Sequence, residues 1–177
     1  PVIFDLQVEA EILGCDLLWA EKSPPTVSTH PLASTTEISH KIPAKTEGRI
    51  PMILDVMEQF KKAVGETTAL YGLVCGPFTL ASHLRGTNIF MDMYDDEEYV
   101  DALLSYATDV AITMADYYID AGMDVLGAVD PLVSQISPDS FSRFLSTPYK
   151  RFFDHIRERG VFSSFFVCGD ATKNLEV

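Results

Sequence analysis

Four short apolar runs, separated by helix-like segments, constrain the fold of this chain more than any other feature. The runs are CDLLWA (15–20), ALYGLVC (69–75), MDVLGAV (123–129) and FSSFFVC (162–168). They are almost continuously apolar instead of alternating, as expected for strands that are covered on both faces of a parallel sheet. Because such runs alternate with helical segments, the sequence predicts right-handed βαβ units and an α/β fold.

Three helices are predicted between and after these runs. The longest spans about 95–121 and has Asp95 as its cap, and an earlier helix spans 51–64. A third helix begins at Ser137. We expect it to be interrupted before Pro148, because proline has no backbone N–H group and clashes with the preceding turn.

Charge and cysteine content limit the partners and the compartment. The chain has 13 Lys plus Arg against 26 Asp plus Glu, a net charge of -13, which disfavours nucleic acid as a partner. No apolar run is long enough to cross a bilayer, so no membrane partner is expected. Cys15, Cys75 and Cys168 are an odd number at wide spacing, unlike a secreted disulfide framework. The sequence therefore predicts a cytoplasmic protein.

Each apolar run is followed by a loop rich in polar residues, glycine or proline. In parallel α/β folds these loops follow the carboxyl ends of the strands and gather at one edge, where ligands bind. The loops AEKSPP, CGPFT, DPLVSQ and CGDAT are therefore a candidate site for a small-molecule substrate, although each of them alone is also compatible with an ordinary turn. The long segment 22–50 either covers this edge or bridges the surface.

Several segments resemble one known family. GPFTLASHLRG (76–86) puts Pro77 at the first position of a helix and is similar to the GPxTLxxxxxG segment of the uroporphyrinogen decarboxylase superfamily. FDLQVEAEILGCDL (4–17) and GMDVLGAVDPLVSQISPDSFSRFLSTPYKRF (122–152) resemble two further segments of that family, in the same order. The chain is thereby identified as a member of this superfamily.

The resemblance implies a (β/α)8 TIM barrel, a fold that typically needs ~250 residues. The apolar runs supply four parallel strands, or five if VIFD (2–5) is another. We therefore expect residues 1–177 to be a single uroporphyrinogen decarboxylase-like domain that is truncated at both ends and forms a partial barrel. Its unpaired strand edges predict that it forms a homo-oligomer, aggregates or is covered by the missing part of the barrel.

One activity that the resemblance implies is corrinoid-dependent methyl transfer to or from a small thiol or folate acceptor, with a corrinoid protein as partner. Such members bind zinc through His-x-Cys-Gly at a strand end, and zinc activates the thiolate. Cys168 and Gly169 match this motif, but Phe166 stands where the histidine is expected. Asp170, Glu9 or Cys75 are alternative ligands.

The resemblance also implies a second activity, the cofactor-independent decarboxylation of uroporphyrinogen. There an aspartate stabilises positive charge that develops on the pyrrole, and Asp5 is at the matching position. Asp5 is equally compatible with a helix cap for residues 6–13. His83 replaces a tyrosine of the decarboxylases, and Pro131 replaces a serine. A third possibility is a binding or structural module without catalysis.

The resemblance and the strand-end positions together give a set of candidate site residues. His83 is open to a second interpretation, as an interior histidine, and Trp19 is expected in the core. The candidates are, as catalytic groups, Asp5, His83 and Asp130; as substrate-binding groups, Gly76, Pro77 and Gln135; and as a metal ligand, Cys168.

Overall fold

The computed structural model describes residues 5–176 and shows a mixed α/β fold. Short 3-10 turns at Gly86–Asn88, Pro131–Gln135 and Thr172–Glu176 join or follow the main elements. The helices and strands, in chain order, are α1 (Val8–Ile12), β1 (Leu17–Leu18), β2 (Thr26–Val27), α2 (Ile50–Val64), β3 (Tyr71–Cys75), α3 (Pro77–Arg85), α4 (Ile89–Asp95), α5 (Glu97–Asp120), β4 (Val125–Val129), α6 (Pro138–Ser140), α7 (Ser146–Glu158) and β5 (Phe162–Phe166).

Three of the predicted strands form a parallel sheet in the order β3-β4-β5. Tyr71 pairs with Val125, and Val125 pairs with Phe162, so the strands start in register. β4 lies in the centre, and its last four residues are buried, as its continuous apolar sequence predicts. The α/β prediction is therefore confirmed, with three parallel strands among the described residues.

The prediction of a parallel strand at 15–20 is wrong. Leu17–Leu18 forms β1, which pairs antiparallel with Thr26–Val27. The chain reverses through the EKSPP loop, so this run pairs with the segment that follows it instead of joining the sheet. Trp19 is 62% exposed, which also contradicts its predicted place in the core. The proposed VIFD strand lies almost wholly outside the described residues.

The three predicted helices are present with small changes at their ends. Helix α5 is capped by Asp96, whose side chain accepts a hydrogen bond from the Tyr99 N–H at 3.1 Å, and not by Asp95. The interruption expected before Pro148 is a π-helical turn, Phe141–Leu145, between α6 and α7. A π turn accommodates a proline in the next turn without ending the helix, because its backbone is wider.

Helix α5 organises the core. It packs against β3 and β4 on one side and against α3 and α7 on others. Its buried stripe includes Leu103, Ala107, Met114 and Tyr118, at helical spacing. The sheet is thus covered by α5, and its strand ends are held in fixed positions relative to α3.

The two outer strands remain open among the described residues. Between residues 5 and 176, β3 and β5 each pair with β4 alone. Phe162 on β5 is 77% exposed. No helix in this part of the chain is long and apolar enough to cross a membrane. The predicted homo-oligomer stays a prediction.

Candidate functional site

The carboxyl ends of the three parallel strands meet at one edge, as predicted. The Gly76 N–H donates to the Val129 carbonyl at 2.8 Å, and the Asp130 N–H donates to the Phe166 carbonyl at 3.0 Å. These two bonds continue the sheet by one residue past each strand. The loops that follow β3, β4 and β5 are consequently neighbours, and they form the candidate active site.

Asp130 is the centre of this edge and is completely buried. Its Oδ2 accepts hydrogen bonds from the Phe78 N–H at 2.9 Å and the Tyr149 hydroxyl at 2.6 Å. Its Oδ1 accepts from the Thr79 N–H at 2.9 Å and the Thr79 hydroxyl at 2.6 Å. Burial raises the pKa of Asp130 to about 6, against the opposing effect of these hydrogen bonds. The carboxylate therefore ties the first turn of α3 to β4 and α7.

The residues before and at the start of α3 fit beneath this carboxylate. A Cβ atom at Gly76 would lie 2.4 Å from the Asp130 Oδ2, so only glycine fits there. Pro77 occupies the first helical position, where a backbone N–H is not needed. Both residues are buried. Their arrangement explains the GP pair through packing. Gln135 is exposed, and among residues 5–176 its side-chain amide donates to Ser134 alone.

The segment after β5 folds over the Pro131–Gln135 turn. Gly169 has a φ of +85°, and a Cβ there would lie 2.9 Å from the Ser134 Oγ. The buried Asn174 side chain donates to the Val133 carbonyl at 2.7 Å. Cys168 lies between these anchors with an exposed side chain. Its thiol is thus presented at the strand-end edge and is accessible to solvent.

A second buried carboxylate, Glu9, lies at the outer edge of β3. It is 1% exposed, and its Oε1 accepts a hydrogen bond from the Cys75 N–H at 3.2 Å. Its Oε2 is buried and has no hydrogen-bond partner among residues 5–176. Burial raises the pKa of Glu9 from 4.5 to about 7, and the nearby charge of Asp5 acts in the same direction.

Asp5 forms an ion pair with Arg49, a residue that the sequence analysis does not single out. The Arg49 Nη1 forms an ion pair with the Asp5 Oδ2, and the Arg49 Nε donates to the Glu11 Oε2 at 2.8 Å. The Arg49 Nη2 is buried and lacks a partner in the described part of the chain. The sequence feature that points to Arg49 is that it is the first arginine of the sequence and follows a long loop of small residues.

Asp5 does not cap a helix. Helix α1 begins at Val8, two residues later than expected, and Gln7 is its cap residue. The Asp5 Oδ1 instead accepts a hydrogen bond from the Gln7 N–H at 2.9 Å. The expected role as a helix cap is therefore wrong, and the role of Asp5 at the site stays a prediction.

Trp19 lies over Arg49 on the solvent side. Its ring centre is 5.0 Å from the Arg49 guanidinium carbon, a cation–π distance. Because hairpin β1–β2 lies outside the parallel sheet, this tryptophan covers the guanidinium without being part of the core. The first apolar run thus contributes Trp19 to the candidate site, although the run is no strand of the parallel sheet.

The hydrogen bonds of His83 join it to residues other than Asp130 and Glu9. Its carbonyl accepts hydrogen bonds from the His30 Nδ1 at 2.8 Å and from the Cys15 Sγ at 3.3 Å. Its own Nδ1 is buried and has no partner among residues 5–176. Burial, with a smaller effect of His30, lowers the pKa of His83 to about 4, so the ring is neutral at pH 7.

The donor set does not fit the zinc site that the resemblance implies. Phe166 cannot ligate a metal, and it occupies the position of the expected histidine. Within the described residues, no three His, Cys, Asp or Glu side chains are close enough together to hold a metal ion. Cys168 is consequently not joined by the alternative ligands Asp170, Glu9 or Cys75.

Comparison with known proteins identifies the relatives of this chain. It is 29% identical to the methylcobamide:CoM methyltransferase MtbA of Methanosarcina acetivorans, over 99% of this chain and 53% of that protein. It is 27% identical to the uroporphyrinogen decarboxylase of Nostoc punctiforme, over 82% of this chain and 43% of that protein. The chain thus spans about half the length of these relatives.

The structure leads to the same group. A methyltransferase from Methanosarcina mazei superposes with a TM-score of 0.84 and 27% identity, over 96% of this chain and 51% of that one. The family model for uroporphyrinogen decarboxylase (URO-D) matches residues 1–176. The chain therefore belongs to the uroporphyrinogen decarboxylase family.

Proposed function

We propose that this protein is a corrinoid-dependent methyltransferase that moves a methyl group between a corrinoid and a small thiol or folate acceptor. The names of the relatives support this proposal, because methylcobamide:CoM methyltransferases match 99% of the chain. We also propose that the three-stranded sheet is part of a (β/α)8 barrel and that the protein is cytoplasmic.

The ion pair between Asp5 and Arg49 is the observation that carries the choice of methyl transfer. In a decarboxylase, the aspartate at this position stabilises positive charge on the pyrrole, which requires an available negative charge. Here the Asp5 side chain is 10% exposed and its charge is compensated by Arg49. A carboxylate in this state contributes little to such stabilisation.

A bound methylcorrinoid would supply the methyl group without the bonding electron pair, which would stay on cobalt. The sulfur or nitrogen of the acceptor would form the new bond and release its proton to solvent. Asp130, Gly76 and Pro77 hold the first turn of α3 at the strand ends, so we assign them a positioning role. Gln135 and Cys168 are exposed near this edge and are available to a substrate. Cys168 remains a candidate metal ligand, although no two further ligands lie close to it among residues 5–176.

The test is methyl transfer by the native-length protein from methylcobalamin to coenzyme M or tetrahydrofolate. Loss of the methyl–cobalt bond changes the visible spectrum, and the methylated acceptor is measured by mass spectrometry. We expect the methylated product with the protein and only a background rate without it. Absence of product with both acceptors would overturn the proposal.

The variant Cys168→Ser tests, in the same assay, whether Cys168 takes part in methyl transfer. If Cys168 takes part, this variant loses activity, whereas Ser163→Cys, which changes another exposed residue of the same chain segment, keeps it. Equal activity and equal metal content of wild type and Cys168→Ser would remove Cys168 from the mechanism.

The second candidate is cofactor-independent decarboxylation of uroporphyrinogen. It is supported by the likeness to the Nostoc punctiforme decarboxylase and by Asp5 at the matching position. Incubation with uroporphyrinogen and measurement of released carbon dioxide test it. Release that is lost in Asp5→Asn would establish this activity in place of methyl transfer.

A further inference from the structure

Two buried polar atoms of opposite hydrogen-bonding character belong to Glu9 and Arg49, and the charges of Asp5 and Arg49 both act on the Glu9 carboxyl group. We call Asp5, Glu9, Glu11 and Arg49 the Arg49 cluster. The Glu9 Oε2 needs a donor and the Arg49 Nη2 needs an acceptor, and residues 5–176 supply neither. An unmet buried polar group destabilises the ligand-free protein. A ligand that presents a donor beside an acceptor would satisfy both atoms.

The charge of the Arg49 cluster selects among such ligands. One guanidinium faces the carboxylates of Asp5 and Glu11, both of which it binds directly. The carboxyl group of Glu9 adds further negative charge when it is ionised. The cluster therefore has no excess positive charge and repels an anionic ligand group. A neutral group with both a donor and an acceptor fits better than a carboxylate does.

We propose that the Arg49 cluster binds a primary carboxamide on the periphery of the corrinoid, with the amide nitrogen donating to the Glu9 Oε2 and the amide oxygen accepting from the Arg49 Nη2. The identity of the corrinoid rests on the proposed function. Cobamides carry acetamide and propionamide side chains, whereas uroporphyrinogen carries carboxylates at its periphery. The same cluster would thus distinguish the two tetrapyrrole-derived substrates of the family.

Trp19 lies over the guanidinium group of the Arg49 cluster. It covers Arg49 at 5.0 Å and is 62% exposed. The two-residue strands of its hairpin pair only with each other within the described residues. Rotation of Trp19 away from Arg49 therefore requires no change in the parallel sheet. After this rotation, the indole ring would offer an apolar surface to the corrin ring, beside the carboxamide that binds the Arg49 cluster.

The test compares two corrinoids that differ only in their peripheral groups. Aquocobinamide carries carboxamides, and aquo-cobyrinic acid carries carboxylates. Binding of each to the native-length protein is measured by isothermal titration calorimetry at low and moderate salt. We expect wild type to prefer the carboxamide corrinoid by at least about tenfold, or ~1.4 kcal/mol. Equal affinity for the two corrinoids, or no binding of either, would overturn the inference.

Two variants show whether the preference comes from the Arg49 cluster. Glu9→Gln keeps the shape of the side chain but removes its charge, and the new amide can donate an N–H to a carboxylate of the corrinoid. The preference for the carboxamide corrinoid should therefore fall to less than about threefold. Glu66→Gln, the same change at an exposed residue outside the cluster, should keep it. An unchanged preference in Glu9→Gln contradicts the assignment.

A competition experiment on wild type alone needs no variant to fold. Propionamide should displace bound aquocobinamide, and propionate of the same size should not. Failure of propionamide to compete at any concentration that leaves the protein folded counts against the amide site. A preference for the carboxamide corrinoid without methyl transfer would overturn the proposed function but support this inference. Methyl transfer without that preference would support the proposed function but overturn this inference.

Discussion

Asp130 and Glu9 are both fully buried carboxyl groups near the same edge of the sheet, yet their surroundings differ. Asp130 accepts four hydrogen bonds, from Phe78, Thr79 and Tyr149. Glu9 accepts one side-chain to backbone bond, from Cys75, and its second oxygen has no partner among residues 5–176. Burial raises the pKa of both groups.

The difference indicates two uses of a buried carboxyl group. A group whose hydrogen bonds are complete within the chain contributes to the fold, because nothing is left for a ligand to satisfy. A group that keeps an unmet oxygen destabilises the ligand-free protein and gains from binding. Asp130 thus holds α3 in position, and Glu9 is the better candidate for contact with substrate.

The largest expected effect is that of Asp130→Ala on stability. The change leaves the buried hydroxyl of Tyr149 and two N–H groups of α3 without an acceptor, so we expect the free energy of unfolding to fall by about 3–5 kcal/mol. Chemical denaturation followed by circular dichroism measures this. Asp95→Ala, at an exposed aspartate, is the control and should change the free energy little. A loss below 1 kcal/mol, or about one ordinary hydrogen bond, would show that Asp130 does not anchor α3.

The next effect is a pH dependence of stability that comes from Glu9. Its pKa rises from 4.5 in the unfolded chain to about 7 in the folded one. The folded state therefore holds this proton more tightly, so stability is lost as the pH rises from about 4.5 through 7. Glu9→Gln cannot ionise and should be more stable than wild type by about 3 kcal/mol above pH 8.

Glu66→Gln is the matched control for this pH dependence, because Glu66 is exposed. The relevant quantity is the difference in the free energy of unfolding between variant and wild type at each pH. It should grow between pH 5 and 8 for Glu9→Gln and stay flat for Glu66→Gln. A flat difference for both would mean that Glu9 is ionised in the folded protein without penalty.

The smallest effect is expected for Tyr149→Phe. The variant keeps the ring, which lies 4.5 Å from the ring of Phe165, and removes only the hydroxyl donor to Asp130. Loss of one hydrogen bond to a charged group should cost about 2 kcal/mol and should raise the pKa of Asp130 further. Tyr94→Phe, at a tyrosine that is 79% exposed, is the control. No difference between these two variants would argue against the bond to Asp130.

Continuous apolar runs predicted the parallel sheet because burial on both faces leaves that pattern. The same pattern failed at 15–20, where the chain reverses at once through EKSPP and pairs with its own continuation. Apolar composition alone does not distinguish a strand of the sheet from an exposed hairpin. The wrong placement of Trp19 follows from this failure.

The sequence indicates some of the residues that make up the candidate site. Strand-end loops and the family segments pointed to Asp5, Asp130 and Gly76, and the structure brings Asp130 and Gly76 together. Arg49 was missed because it is 44 residues from Asp5 in the sequence. The sequence indicates Glu9 only as a metal ligand, since it does not show that one oxygen of this side chain is buried without a partner among residues 5–176.

An NMR titration of the side-chain carboxyl carbons tests most directly whether Asp130 has a structural role and Glu9 a role in binding. The signals are assigned with the variants Glu9→Gln and Asp130→Asn. The titration is run with and without aquocobinamide. We predict that Glu9 titrates near pH 7 and that bound corrinoid lowers its pKa, because an amide N–H stabilises the ionised form. Asp130 should titrate near pH 6 in both samples. A Glu9 signal that the corrinoid leaves unchanged would contradict the account.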